Sequence, residues 1–517
     1  MVASSVSQTL EGSATSYQRR WWALAVLLLC LLVIGLDNTI VNVALPTLAR
    51  DLSASASQLQ WFVDAYALVF AGLLLVAGSL GDHFGRKRLL YIGLLIFLGG
   101  SLGAAFSATS ITLIIAQGVM GLGGACIMPS TLSITVNIFS GKERLRAIAI
   151  WSAVGGLGII LGPLTGGWLL EHAHWGAIFL VNVPIILLAL LLGVFLIPES
   201  RDPRATPLDG VGTLLVSAML FALLYGIIEQ PAYGWGDLSI RLSLIAAVVL
   251  LIAFVLWEVR QPYPLLDVRV FRNRRFTAAS LSIALVFFAL NGMIFFLAQY
   301  FQLVLGYTTL VAGTRLIPVV IGLGAASPLS SWLVERVGTK ITVATGMAVI
   351  MGSLVFMAAT SITDDYTRLA FILGGLGVGI ALAVVPATAS IMGALPLAKA
   401  GVGSAMNDTT REVGGALGVA ILGSVVASAY HDAIAPATLH LPSPVAALAR
   451  NSLEAALLVA QRMGGPAGAH LATAAKAAFL EGMDHAVGVG VGFAFVGMVV
   501  AVLFLPAREQ PQPAAEV

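Results

Sequence analysis

Four carboxylates fall inside stretches otherwise apolar enough to cross a bilayer. Asp37 sits in "LDNTIVNVALP", Asp64 in "WFVDAYALVFAG", and Asp408 and Glu412 in "NDTTREVGGALG". An acid at mid-membrane costs about 2.5–3.5 kcal/mol on insertion scales and normally faces a cavity, so each marks a place where a proton is bound or a cation is paired. Asp37 lies about two thirds of the way through its run, and Asp64 about two turns from the outer end of its own. Asp408 and Glu412 are four apart and share a helical face, with Arg411 placed three residues after Asp408 to pair with it. That pairing leaves Glu412, in the side-chain-poor "EVGGALG", as the expected proton carrier. Arg315, near the outer end of its run, is expected to snorkel to the interface, and Gln117 is a further polar group inside a span. Cys30 and Cys126 both lie in apolar runs, with no metal-ligand spacing around them. No G-x-x-x-x-G-K-[ST] loop, H-E-x-x-H helix or nucleophile elbow occurs, so neither nucleotide hydrolysis nor enzyme chemistry is expected of this chain.

The elements that must hold these residues follow from composition. Of 517 residues 59% are hydrophobic and only 10% charged, against about 25% charged in soluble domains. Apolar runs of spanning length begin near residues 21, 57, 89, 111, 147, 176, 209, 239, 276, 309, 341, 367, 403 and 484, which predicts fourteen helices and both termini on one side. Nineteen Lys and Arg fall in the loops on the side of the termini, six on the other side and two, Arg315 and Arg411, within spans. The positive-inside rule therefore puts the termini in the cytoplasm. The "RRWW" at 19–22 reads as a cytoplasmic anchor with interfacial tryptophans and not as an export signal. A net charge of +2 carries no sign of nucleic-acid binding. The expected partners are membrane lipid and a small substrate, with no cofactor.

The chain repeats itself. "GSLGDHFGRKR" follows the second run and "SWLVERVGTK" the tenth, with Leu80, Asp82, Gly85 and Lys87 matching Leu333, Glu335, Gly338 and Lys340 at one constant offset of 253. This predicts a cytoplasmic tail over 1–20, a six-helix half over 21–198, a linker with an inserted helix pair over 199–275, a second six-helix half over 276–506 and a tail over 507–517. The segment 431–482 is expected to be a periplasmic hairpin of two helices. Asp82 stands where it can accept hydrogen bonds from a neighbouring helix N-terminus or an arginine, while Arg86, Lys87 and Arg88 are expected to face anionic headgroups. Gly158, Gly162 and Gly166 fall four apart and leave one face of the fifth span bare for close helix packing, with Pro163 and Gly167 beside it.

These motifs, in this order, resemble the major facilitator superfamily, and within it the fourteen-helix drug:proton antiporter family of the EmrB/QacA type. "LDNTIVNVALP" is similar to its first-span signature, "GSLGDHFGRKRLL" to the loop after span 2 and "GIILGPLTGG" to its antiporter motif in span 5. "NVPI", "PESRD" and "GVGSAMNDTTREVGGALGVAILGSV" also fit. The resemblance implies an all-α polytopic fold of two six-helix halves plus the inserted pair. It also implies a proton-driven antiporter that works by alternating access, with the proton gradient as energy source and small amphipathic drugs as substrates, acting as a monomer in the cell (inner) membrane. A dedicated exporter of one metabolite, an uptake permease and a non-transporting sensor are the alternatives. Within such a transporter the in-span acids Asp37, Asp64, Asp408 and Glu412 are expected to do the coupling, and the loop of Gly78, Asp82, Gly85, Arg86 and Lys87 the gating. The sliding seam falls to Gly158, Gly162, Pro163, Gly166 and Gly167, and modulation to Arg315, Arg411 and Gln117. Two motifs depart from the family pattern: Gln117 and Met120 precede Gly121 where an arginine and a glutamine are usual, and His83 replaces a loop arginine. No proton relay here can rest on that fourth-span arginine. Where some relatives carry an acid in span 10, "LIPVVIGLGAA" offers Leu323, so divalent cations are expected to be handled poorly.

Overall fold

A membrane-spanning chain must satisfy its backbone polar groups internally, which leaves helices or closed barrels; the described residues of this chain use helices. The computed structural model describes residues 2–52, 54, 56–201, 209–358 and 366–507, and no strand occurs among them. Arg204, much of "PESRDPRATPLD" and the tail from Arg508 onward lie outside the described residues. Among the described residues, fourteen helices are long and apolar enough to span. The first half holds α1 (Arg19–Leu45), α2 (Trp61–Phe84), α3 (Arg86–Ala105), α4 (Ser110–Ile138), α5 (Gly141–His172) and α6 (Ala177–Leu196). The inserted pair is α7 (Gly210–Gln230) and α8 (Leu238–Arg260). The second half holds α9 (Arg274–Val304), α10 (Val311–Val337), α11 (Thr339–Met357), α12 (Tyr366–Ala394), α13 (Leu397–Thr438) and α14 (Gly465–Phe504).

Local signals set several starts. The Thr109 side chain accepts from Thr112 N–H in a capping box before α4, and Asp209, Asp237 and Asn273 cap α7, α8 and α9. The sequence repeat returns as geometry: Gly85 (φ 115°) and Gly338 (φ 88°) each precede the helix that follows their basic loop, in a conformation that L side chains rarely adopt.

One boundary differs from expectation. The 431–482 segment does hold two short helices, Ser443–Asn451 and Leu453–Met463, but α14 already begins at Gly465 and not near 484. The alanine-rich stretch from 466 to 478 favours helix strongly while lacking the hydropathy of a span, so an apolar-window reading starts the helix late. Tyr430 O–H donates to the carbonyls of Ala449 (3.0 Å) and Ser452 (3.1 Å), pinning this two-helix cap to α13.

The halves meet crosswise. α2 packs on α13 and α10 packs on α5, so the second helix of each half lies against the fifth of the other, while α7 covers α2 and also touches α13. Within the first half, α5 lies against α1 along the glycine strip. A methyl on Gly158 would collide with the Gly35 backbone and one on Gly162 with Thr39, and Gly166 is closed off by Ile40. Thr39 Oγ1 donates to the Gly158 carbonyl (2.7 Å) across that contact. Pro163 faces the other way, against Gly313 in α10, as Gly156 does against Leu323; Gly167 is half-buried. The strip is thus an intra-half weld, and the flank beside it carries the contact between halves.

Overpacking a tight seam costs about 1–3 kcal/mol, so Gly162→Val should lower the melting temperature and the monodisperse yield of purified protein. Gly488→Ala, where a methyl would meet open space, should leave both unchanged. A stable Gly162→Val protein would contradict the seam.

Candidate functional site at the seam between the halves

At the end of the bundle where the basic loops lie, Asp82 closes α2. Its Oδ1 accepts from Gly401 N–H (2.8 Å) and its Oδ2 from Val402 N–H (3.0 Å). These are the second and third residues of the main helical run of α13 (Ala400–Ile434), which has no side-chain cap of its own. A carboxylate from one half therefore does the work of an N-cap for the other. Arg86 completes the joint: Nε and Nη2 donate to Asp82 Oδ1 (2.8 and 2.6 Å), and Nη2 also to the carbonyls of Leu397 (2.9 Å) and Ala398 (2.8 Å). Gly78 and Gly401 make the approach sterically feasible, since a methyl on either would strike the other's backbone.

The expectation that Arg86 faces headgroups is corrected, because its side chain is 1% exposed and turned inward. The reason is the Asp82 charge four residues earlier plus two orphan carbonyls, which together outbid solvent for the guanidinium. Lys87 is half-buried and donates from Nζ to the Val194 carbonyl (3.0 Å), and Arg88 alone of the three is exposed. Glu199 of "PESRD" accepts from Lys87 N–H (3.1 Å), and Arg86 N–H donates to the Ser200 carbonyl (2.9 Å), so the end of α6 braces the loop. The repeat-related joint is Lys142 Nζ to Glu335 Oε2 (2.8 Å), between α5 and α10, and it is largely solvent-exposed.

The remaining charges lie deeper. Asp37 on α1 is buried, with Asn182 of "NVPI" as its hydrogen-bonding neighbour and Oδ1 without a partner among the described residues. The Tyr66 hydroxyl, buried and likewise without a partner, lies within electrostatic reach of both Asp37 and Glu412, so α1, α2 and α13 converge there. Asp64 is half-buried, two residues from Tyr66 and hence on another face of α2. Gln117 is buried on α4 with Oε1 unpartnered among the described residues, and Met120 packs in the core against Gly100. Arg315 is held between Tyr307 and Tyr366, its guanidinium carbon 5.4 and 3.9 Å from the two ring centroids.

On α13 the expected Asp408–Arg411 ion pair is absent among the described residues. Asn407 Nδ2 donates to Asp408 Oδ1 (3.0 Å), Thr388 Oγ1 on α12 donates to Asn407 Oδ1 (3.0 Å), and Arg411 Nη2 donates to Thr388 Oγ1 (3.3 Å). The two charges are thus joined through an amide and a hydroxyl. Arg411 instead lies over Trp151 of α5 (4.9 Å) and Phe287 of α9 (5.2 Å), because aromatic faces from both halves offer a planar cation a stack that helical spacing cannot foresee. Asp408 is buried with Oδ2 unpartnered, while Glu412 is half-buried and accepts no hydrogen bond among the described residues. Trp151, Thr388, Asn407 and Asn182 are the members that sequence reasoning missed. Only the "NVPI" and span-13 motifs carried any signal for them.

The chain matches the Major Facilitator Superfamily over residues 27–419. It belongs to that superfamily. The protein is accordingly a multi-pass membrane transporter for small substrates and not an enzyme. It is 37% identical to the multidrug efflux pump LfrA of Mycolicibacterium smegmatis over 92% of this chain and 95% of that one. It is 33% identical to the methyl viologen resistance protein SmvA of Salmonella typhimurium (89% and 93%), and 32% identical to a tetracenomycin C resistance and export protein of Streptomyces glaucescens (96% and 94%). The human organic anion transporter MFSD10 shares the fold at a TM-score of 0.61 with 14% identity, covering 94% of this chain and 99% of that one.

The two joints at the basic end should differ in weight. Losing one partner of a buried pair costs about 3–5 kcal/mol, against about 0–1 kcal/mol for an exposed pair. Asp82→Ala should therefore raise the maleimide labelling rate of a cysteine placed at buried Ser404 at least roughly tenfold, whereas Lys142→Ala should change it less than about twofold. Equal effects would contradict the ranking.

Proposed function

We propose that the protein is a proton-coupled efflux antiporter that moves lipophilic cations or antibiotics out of the cell by alternating access. It sits in the cell (inner) membrane with both termini and the basic loop end in the cytoplasm, and it works as a monomer without a cofactor. The observation that carries this reading is the placement of the in-span charges. Asp37, Asp408, Glu412 and Arg411 gather where helices of both halves meet, and Asp82 with Arg86 ties those halves together at the basic end by a buried joint. The names of the relatives, a multidrug efflux pump and an antibiotic export protein, point the same way. A proton driven by about 150 mV supplies about 3.5 kcal/mol, enough for a substrate gradient of a few hundredfold.

In this reading the clasp keeps the cytoplasmic end shut while the central cavity communicates with the outside, and breaking it admits substrate from within. Glu412 carries the proton, since it is half-buried and held by no hydrogen bond among the described residues, whereas Asp408 is tied to the Asn407–Thr388 chain. Asp37, facing Asn182 and Tyr66, supplies the second negative group that a cationic substrate meets. Arg315, fixed between two tyrosines, shapes the outer end of α10. Leu323 contacts Gly156 at the α5–α10 seam with no acid in its place, which favours monovalent cations and neutral antibiotics. The name of the Salmonella relative, which refers to the dication methyl viologen, supports the broader range as the second reading.

Cells expressing the protein should accumulate less ethidium than control cells, and an uncoupler should erase the difference; accumulation indifferent to the uncoupler contradicts active export. In inverted vesicles Glu412→Gln should abolish substrate-induced proton release while retaining substrate binding, and Asp408→Asn should mainly lower yield or conformational stability. Intact proton release in Glu412→Gln removes that residue from the role. A susceptibility panel of monovalent against divalent cations decides the substrate range, with stronger protection against dications overturning the preference.

A further inference from the structure

Arg411 is held loosely for a half-buried cation. Of its five N–H donors one reaches a partner, the Thr388 hydroxyl at 3.3 Å, and Nε has none among the described residues. Its planar group instead fills the space between the Trp151 and Phe287 rings. Trp151 is 1% exposed, and its Nε1 donates to Thr131 Oγ1 (3.1 Å), which fixes the ring plane. The aromatic pair therefore belongs to both halves at once, one ring from α5 and one from α9. In an alternating-access transporter a substrate must bind between the halves. The same side chain has a second destination within reach of its flexible stem: Asp408, with Oδ2 unpartnered, lies three residues back, and Glu412 follows it directly.

We propose that the Arg411 guanidinium is a tethered stand-in for substrate, occupying a cation site built by Trp151 and Phe287 from which a monovalent aromatic or lipophilic cation displaces it toward Asp408 and Glu412. This rests on the efflux reading and adds to it where the cation binds and what it competes with. A cation of charge one replaces a cation of charge one over the rings, and the displaced guanidinium meets the two carboxylates. The positive charge of the site is conserved at the rings and the negative charges of α13 are answered from within the protein. A neutral substrate has no reason to expel Arg411 and would bind beside it.

The experiment is equilibrium binding of tetraphenylphosphonium, with chloramphenicol as neutral control, to the purified full chain in detergent and without a gradient. Removing the competitor in Arg411→Gln should tighten tetraphenylphosphonium severalfold and leave chloramphenicol unchanged. In a Trp151→Leu background the same change should gain nothing, which separates displacement from the rings from the general effect of deleting a positive charge. Arg411→Lys keeps the charge but not the planar stack; it should also tighten tetraphenylphosphonium, and it serves if the glutamine variant does not fold. Unchanged or weaker binding in both Arg411 variants overturns the proposal, as does an equal gain with Trp151 and with Leu at position 151. Because binding is read without transport, cells that show no uncoupler-sensitive export would count against the efflux reading alone.

Discussion

A carboxylate buried in a bundle surrounded by lipid has to find its donors inside the protein, and Asp82 finds them on both halves at once. Two come from the backbone at the start of α13 and two from Arg86, which in turn reaches the carbonyls of Leu397 and Ala398. None of these groups has a better partner on its own side, since α13 lacks an N-cap side chain and Arg86 is shut away from water. The joint therefore costs little to keep and much to break while closed, and becomes replaceable by water once the end opens. The glycines around it follow from the same demand, because donors and acceptors of different halves meet at hydrogen-bond distance only where Gly78 and Gly401 let backbones touch.

The same helix carries the constraint inward. α13 leaves the clasp at Val402 and reaches Asn407, Asp408, Arg411 and Glu412 within the next ten residues. It then packs by Gly414 and Gly418 against the backbone of Ala284 and Phe288 in α9. Its far side is thus welded to the second half while its near side is held by residues of the first: Asp82 and Arg86 at one end, Trp151 at the centre. Any change in what Arg411 or Glu412 binds acts on a rigid element whose N-terminus is the clasp itself. The crosswise partner, α5 against α10, has an exposed ion pair in place of the buried joint and a glycine strip given over to α1. The two related seams are thus not equivalent in strength.

Much of the frame was legible in the sequence because it depends on one-dimensional quantities. Spans follow from hydropathy over about 20 residues, and the 253-residue repeat returned as two left-handed glycines, Gly85 and Gly338. Asp82 was legible as an acceptor for a helix N-terminus, since an acid adds nothing to positive-inside orientation. What stayed hidden needed three dimensions. Arg86 reads as one of three headgroup-facing cations until the α13 carbonyls appear above it. Helical spacing allows Arg411 to pair with Asp408, yet rings of α5 and α9 take it, and nothing within α13 announces them. The α14 boundary was missed for a different reason: helix propensity continues through an alanine-rich stretch where hydropathy has fallen.

The central claim is that the charged centre of α13 and the clasp at its N-terminus are one coupled device, and electron–electron resonance distances between spin labels at exposed Phe84 and Leu397 test it most directly. A second, longer distance should appear when Asp82 is replaced by alanine. The decisive comparison is Glu412→Gln, which touches no clasp residue: the account predicts that it shifts the populations of the short and long distances in the otherwise unaltered protein. Identical distributions with Glu and with Gln at 412 would mean that the centre and the clasp do not communicate, and would contradict the account.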